Sequence, residues 1–303
     1  MQYTRGLSFA FAFKATTKIT KISRLVFLKK GNGMSFICPN CKGKLNILDN
    51  RLVCSNLHSF DKSREGYYNL LLSYGGTHGD NKEMVMARRR FLSRGFYLKM
   101  AERLSKTVLE LTPKLGAVLD SGCGEGYYTD IIETELFSRD GESNLFAFDI
   151  SKDAVKAAAK RNKRIRCAVA SAYRQPFADT CFDTAYNVFS PLAIDEVRRV
   201  VKSGGVFVMV IPDEYHLYEL KEKIYETPYK NKVDDTVLSG FSLISDEPVH
   251  YKMELTSAED VSSLFKMTPY AYRTGKKDAD KILSIDSLSV SANFRILTYR
   301  RIK

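Results

Sequence analysis

Asp120, Gly122, Gly124 and Gly126 lie in one short stretch, Ala117-Val-Leu-Asp-Ser-Gly-Cys-Gly-Glu-Gly-Tyr-Tyr-Thr129. An apolar lead-in, an acid and three alternating glycines read as a buried strand, a tight turn and the first turn of a helix. Glycines free the backbone for unusual dihedrals and let a ligand approach the main chain. Asp120 would stand at the carboxyl end of the strand, facing the crevice in which open α/β sheets bind ligands. A dinucleotide fingerprint wants a small residue three positions after its second glycine, for close helix packing. That position holds Tyr127, and the spacing is Gly-x-Gly-x-Gly instead. A second acid, Asp149, closes the apolar run Leu145-Phe-Ala-Phe-Asp149, just before an Ala-rich, helix-like run at 152–161.

The other chemistry-bearing cluster is Cys38-Pro-Asn-Cys41 followed, after twelve residues, by Cys54-Ser-Asn-Leu-His58. Two ligand pairs on tight knuckles joined by a hairpin can set three thiolates and an imidazole tetrahedrally around zinc. With all four positions filled by protein, such a zinc is structural and leaves no open site for hydrolysis. The module is too small for a core of its own, so metal binding should supply much of its folding energy. Its aromatic and basic residues, Phe36, Lys42, Lys44 and Arg51, would suit RNA, and an ordinary solvated basic face explains them equally.

These clusters sit in a chain of 303 residues, long enough for a full core and a satellite domain. Forty-seven basic against 35 acidic residues give a net charge of +12, which favours a polyanionic partner. Residues 1–33 hold seven of the basic side chains and no acid, so about +5 remains for the rest. This basic extension resembles a transit peptide, an upstream start or a nucleic-acid arm; Met34 is the expected initiator and 1–33 are expected to be poorly packed. Six cysteines in a chain of this length do not form a secreted disulfide framework, and a reducing compartment fits better. No run approaches the roughly 18 apolar residues of a membrane span.

The elements that must position the clusters follow in order. After a Gly-rich bend at 75–80, apolar positions recur with helical period over 84–111, divided at Gly95. Arg88-Arg-Arg90 on that stretch reads as a solvated or RNA-facing run, solvent being the commoner case. Strands are expected at 166–170, 182–187 and 206–211, with a helix at 195–201 and another at 216–226. The alternating stretches 241–255 and 287–299 read as an antiparallel edge pair around a helix at 260–267. This alternation is that of a doubly wound α/β sheet.

The combined pattern runs Cys-Pro-x-Cys…Cys-x3-His…Phe-Asp…Glu-Gly-Tyr…Asn-Leu-Leu…Gly-Asp…Met-x2-Ala-Arg…Phe-Leu-x2-Gly-x-Tyr, then Val-Leu-Asp-x-Gly-Cys-Gly-Glu-Gly-Tyr-Tyr-Thr. It resembles the bacterial 23S rRNA (guanine-N1)-methyltransferases of the RlmA/RrmA type, and the glycine turn resembles motif I of the class I S-adenosylmethionine methyltransferases. The match extends through Asp149-Ile-Ser-Lys, Pro176-Phe177 and Met267-Thr-Pro269, covering 36–303.

The resemblance implies a Rossmann-like, mostly parallel seven-stranded sheet with a small zinc-ribbon-like domain. Its segments would be a zinc-binding RNA module at 34–72, a linker with helices at 73–112 and a methyltransferase domain at 113–303. S-adenosylmethionine would contact Asp120, Gly122, Gly124, Gly126, Tyr127, Asp149, Ser171 and Ala172, with Asp149 on the ribose hydroxyls. Zinc would be held by Cys38, Cys41, Cys54 and His58.

The end of the fourth strand faces the acceptor in that fold, which nominates Asn187, Phe189, Ser190 and Pro191. For the group taking the proton from guanine N1, Asp213 and His216 are topologically possible, although a lone histidine entering a helix is more often a cap. The implied partner is a stem-loop of 23S rRNA, bound by a cytoplasmic homodimer. A small-molecule methyltransferase, or a zinc-dependent RNA-binding factor without catalysis, would share parts of this pattern.

Overall fold

The computed structural model describes residues 36–72, 79–233 and 237–302. The expectations for 1–33 and for most of the glycine bend fall outside them. Three short strands come first, β1 (Asn46–Leu48), β2 (Arg51–Val53) and β3 (Ser59–Asp61), paired antiparallel in a small sheet. β4 (Tyr68–Asn69) then leaves this sheet for a larger one.

Helices Lys82–Ser93 and Leu98–Leu111 follow, separated by a turn in which Gly95 takes φ +79°. Asn81 caps the first by accepting from the Met84 amide. The second buries Met100, Ala101, Leu104 and Val108 along one stripe.

The large sheet has eight strands among the described residues. Its further strands are β5 (Ala117–Ser121), β6 (Asn144–Asp149), β7 (Arg166–Val169), β8 (Phe182–Val188), β9 (Val201–Pro212), β10 (Phe241–Leu255) and β11 (Leu288–Arg301). Their order is β10-β11-β9-β8-β5-β6-β7-β4. β8, β5, β6 and β7 run parallel to their neighbours, and β9 pairs parallel with β8. β10 and β11 form the antiparallel end, in agreement with the alternation at 241–255 and 287–299. Pro248, which has no N–H for a ladder bond, is tolerated because β10 is the outermost strand.

Seven strands were expected, and the eighth is β4, contributed by the cysteine-bearing segment. Tyr68 and Asn69 pair parallel with Ala168 and Val169, and the Leu70 amide donates to Val169 O at 2.9 Å. Phe36 packs its ring against Tyr68, Phe146 and Phe177. The small module thus completes its apolar packing on the edge of the main sheet, which answers its shortage of core.

Connecting helices at Tyr127–Asp140, Lys152–Arg161 and Ile194–Val200 flank the sheet. The expected helix at 216–226 is shorter, Tyr218–Ile224, and His216 stands in the turn before it because Leu217 adopts φ +56°. Ser257 caps Ala258–Met267 by accepting from the Asp260 amide. No helix among the described residues is long and apolar enough to cross a membrane.

Candidate active site and metal centre

A cavity of about 750 Å³ opens at the carboxyl ends of β5, β6 and β8, the crevice position for an open α/β sheet. The turn after β5 forms its floor. Gly122 and Gly124 have φ +90° and +52°, and the amides of Gly122 and Cys123 both donate to Phe148 O. A Cβ on Gly122 would lie 2.1 Å from Ser190 Oγ, so only glycine allows the chain from β8 to cross so closely. Asp149 accepts from the Gly124 amide at 3.0 Å through one oxygen and from the Ser151 amide at 2.8 Å through the other. Burial pushes its pKa up while those two amides oppose the shift.

Of the residues expected at the cofactor, Gly122, Gly124, Tyr127, Asp149, Ser171 and Ala172 line this cavity. Asp120 and Gly126 do not. Asp120 is buried beneath the turn, accepting from Thr129 Oγ1 at 2.6 Å, and burial raises its pKa to about 7. Gly126 is a packing glycine: a Cβ there would lie 2.8 Å from that of Ala158 on the neighbouring helix. Strand and helix geometry turn these two positions toward the protein interior.

Asn187, Phe189, Ser190 and Pro191 also reach the wall. Asn187 Nδ2 donates to Ser121 O at 3.0 Å and to Ser190 Oγ at 2.6 Å, and Ser190 Oγ donates to Ser121 O at 2.8 Å. Both amide protons of Asn187 are thereby occupied, which leaves its Oδ1 as the group able to accept from a ligand. Phe189 is 43% exposed at φ +54°, with its ring parallel to that of His216. An exposed aromatic beside a cavity is a stacking surface for a base.

His216 is buried, with the Asn293 amide donating to its Nδ1 and Tyr97 Oη 3.2 Å from its Nε2. Burial, and then the charge of Lys221, lowers its pKa to about 3. A group so hard to protonate is poorly matched to proton abstraction near neutral pH. Asp213 is not part of the wall and pairs with His250 at 2.7 Å.

Sequence reasoning missed several wall residues. Arg88 leaves its basic run to pair with Asp80 and to donate to Met267 O, and both Arg88 and Asp80 line the cavity. Tyr97, Tyr173 and Tyr270 join from distant segments. The helical periodicity around Arg88 carried a weak signal, since it falls one position after the core residue Ala87.

The cysteine cluster assembles as expected. Cys41 Sγ lies 3.6 Å from Cys54 Sγ, and His58 Nδ1 lies 3.5 and 3.4 Å from Cys38 and Cys54 Sγ. A tetrahedral zinc with ordinary bond lengths requires edges of about 3.8 Å between sulfurs and about 3.6 Å between sulfur and nitrogen. The donor set therefore fits zinc without rearrangement. The Gly43 amide, and then the His58 ring, hold the Cys41 thiol down at about 6, ready to ligate as thiolate. Among the described residues this is the one group of donors close enough to hold a metal.

A family model described as a methyltransferase domain matches residues 114–283. The chain belongs to that family. A second model, the N-terminal zinc ribbon of RlmA, matches residues 36–72. The cavity suits the family's cofactor, S-adenosylmethionine, because Gly122 and Gly124 leave the cradle open and Asp149 stands at the end of β6 beside apolar Ile150.

Among curated relatives, a Bacillus subtilis protein named as a candidate 23S rRNA (guanine-N1)-methyltransferase is 29% identical over 86% of this chain and 95% of its own. The 23S rRNA (guanine(748)-N1)-methyltransferase of Streptomyces fradiae is 35% identical over 62% of this chain and 66% of its own. A Micromonospora griseorubida protein, also named as a candidate for guanine-N1 methylation, is 29% identical over 88% and 97%.

Proposed function

We propose that this methyltransferase modifies N1 of a guanine in a stem-loop of 23S rRNA, with the zinc ribbon gripping the RNA. The observation that carries the reading is β4. A ribbon that donates a strand to the methyltransferase sheet holds its knuckles in fixed relation to the cavity mouth, as a ruler between an RNA contact and a target base must. The names of the relatives supply the substrate class.

When bound, S-adenosylmethionine supplies an electrophilic methyl carbon. The protein's contribution is mostly positional. Gly122 and Gly124 let the main chain form the floor under the ligand, and Asp149 offers its remaining lone pairs to ribose hydroxyls. Ser171 and Ala172 flank the adenine. Phe189 stacks on the target base, whose extrusion from a loop costs less than from a stem. Asn187 Oδ1 accepts from the amino or imino edge of guanine, a preference fixed by Ser190 and Ser121 on the other side of the amide.

The exposed Ile47 and Leu57 of the ribbon, with Lys44 and Arg51, give RNA a mixed apolar and basic surface. The active species is a homodimer in the cytoplasm, where ribosomal RNA is exposed during assembly. Incubation with cofactor and rRNA fragments, followed by mass mapping, should yield 1-methylguanine at one loop position. Methylation of a metabolite panel with RNA left untouched would favour the small-molecule alternative instead.

A further inference from the structure

The buried pair Tyr97 and His216 belongs to the cavity wall and has no role in the cofactor contacts proposed above. Tyr97 follows the Gly95 turn, and its ring is fixed edge-on by Phe91 at 5.2 Å and Phe294 at 4.9 Å between centroids. His216 comes from the turn after β9. Its Nδ1 receives the Asn293 amide, which can only donate, so the proton of the neutral imidazole sits on Nε2. Nε2 then donates to Tyr97 Oη at 3.2 Å. With its oxygen already an acceptor, the phenol keeps its own O–H to give away. Among the described residues the hydroxyl has no other hydrogen-bond partner.

We propose that Tyr97 touches the substrate, donating its O–H to O6 of the guanine, and that His216 is the positioning residue that keeps it a donor. This rests on the guanine-N1 reading above and deepens it. As the N1 proton leaves to water, the negative charge left on the base spreads onto O6, and a fixed donor there stabilises it. The carboxylates of the described wall are poorly placed as bases: Asp80 pairs with Arg88, Asp149 accepts from two amides, and Glu125 pairs with Arg161 through Oε2 while its unpartnered Oε1 is buried with no accessible surface. Charge stabilisation at O6 therefore does what a general base would otherwise do. The same donor discriminates against adenine, which presents an amino group at that position.

The charged and titratable neighbours act on this pair through their charge. Lys221 and Glu219 act on His216, and Tyr251, Tyr270 and Arg88 act on Tyr97, whose burial holds it protonated at any working pH.

The test measures single-turnover methylation of the mapped rRNA fragment across pH for wild type, Tyr97→Phe, His216→Ala and His216→Gln, each checked for zinc content and S-adenosylhomocysteine affinity. Tyr97→Phe should lose 10- to 100-fold near neutral pH, with most of the loss recovered at alkaline pH, where N1 ionises without help. Cofactor affinity should stay within twofold. His216→Ala should follow Tyr97→Phe, whereas His216→Gln, whose amide can accept from Asn293 and donate to Tyr97, should regain most of the rate. A Tyr97→Phe variant with the wild-type rate and profile, or with the same loss at every pH, overturns the proposal while leaving the function standing. Wild-type protein that methylates no guanine N1 overturns both.

Discussion

The Ile37 amide donates to the carbonyl oxygen of Pro176 at 2.9 Å, tying the residue before the first zinc cysteine to the loop that follows β7. That loop begins at Ser171, Ala172 and Tyr173 on the cavity wall. Arg174 reaches back from it to Pro39 O, between the paired cysteines, at 3.3 Å. Two hydrogen bonds therefore tie the zinc-ligand segment to the loop that carries Ser171, Ala172 and Tyr173.

Removing zinc should weaken cofactor binding although no zinc ligand touches the cavity. Chelation, or Cys41→Ser, is expected to lower S-adenosylhomocysteine affinity by about tenfold in titration calorimetry and to lower the unfolding midpoint, since metal binding is part of the ribbon's folding energy. Arg174→Ala, which cuts one tie and leaves the metal in place, should give a smaller loss. Metal-free protein with undiminished cofactor affinity would show that the ribbon and the cavity are independent.

Gly122→Ala should abolish methyl transfer. The added Cβ meets Ser190 Oγ at 2.1 Å and the backbone stays at φ +90°, so the expected destabilisation is about 1–3 kcal/mol. Combining it with Ser190→Gly removes the clash and leaves the dihedral strain. The double variant should recover part of the stability and little of the activity, because Asn187 then loses one of its two partners and keeps only Ser121 O. Denaturant unfolding and a methylation assay separate the two effects.

Asp149→Ala should reduce cofactor affinity by 10- to 100-fold. It removes the acceptor for both the Gly124 and Ser151 amides, so the turn loosens in addition to losing the ribose contact proposed above. Asp149→Asn can satisfy only one of those donors and should fall between. Calorimetric titration with S-adenosylhomocysteine reads the order directly.

Stability should depend on pH through two buried groups with opposite signs. His216 has a native pKa near 3 against an ordinary 6.5. The unfolded chain binds the extra proton between those values, so this residue costs stability as pH falls below 6.5. Asp120 has a native pKa near 7 against 3.8. Here the native state binds the proton more tightly, and stability is lost as pH rises from about 4 to 7. His216→Gln should therefore gain on wild type as pH drops from 6.5 to 4.5, and Asp120→Asn should gain as pH rises from 4.5 to about 7 and level off above it. Unfolding midpoints measured across pH 4.5–8 at fixed zinc check both slopes.

The sequence by itself determined what depends on neighbours along the chain. Cysteine and histidine pairs separated by two and three residues are local knuckles, and their spacing alone specifies the zinc tetrahedron. The glycine turn after β5 and Asp149 at the end of β6 are likewise short-range features of strand, turn and helix, and they carried the resemblance that implied the cofactor. The alternation at 241–255 and 287–299 placed the antiparallel end of the sheet.

Only the tertiary structure decided which of the motif residues line the cavity. Asp120 and Gly126 belong to the motif yet face the interior, where Thr129 bonds the Asp120 carboxylate and Ala158 packs against Gly126. It also joined groups far apart in the chain: Tyr97 to His216, Arg88 to Met267 and β4 to β7. A hydrogen bond or sheet register between such distant positions leaves no period in the sequence. Its free energy comes from the packing that brings the segments together, and that packing exists only in the folded chain.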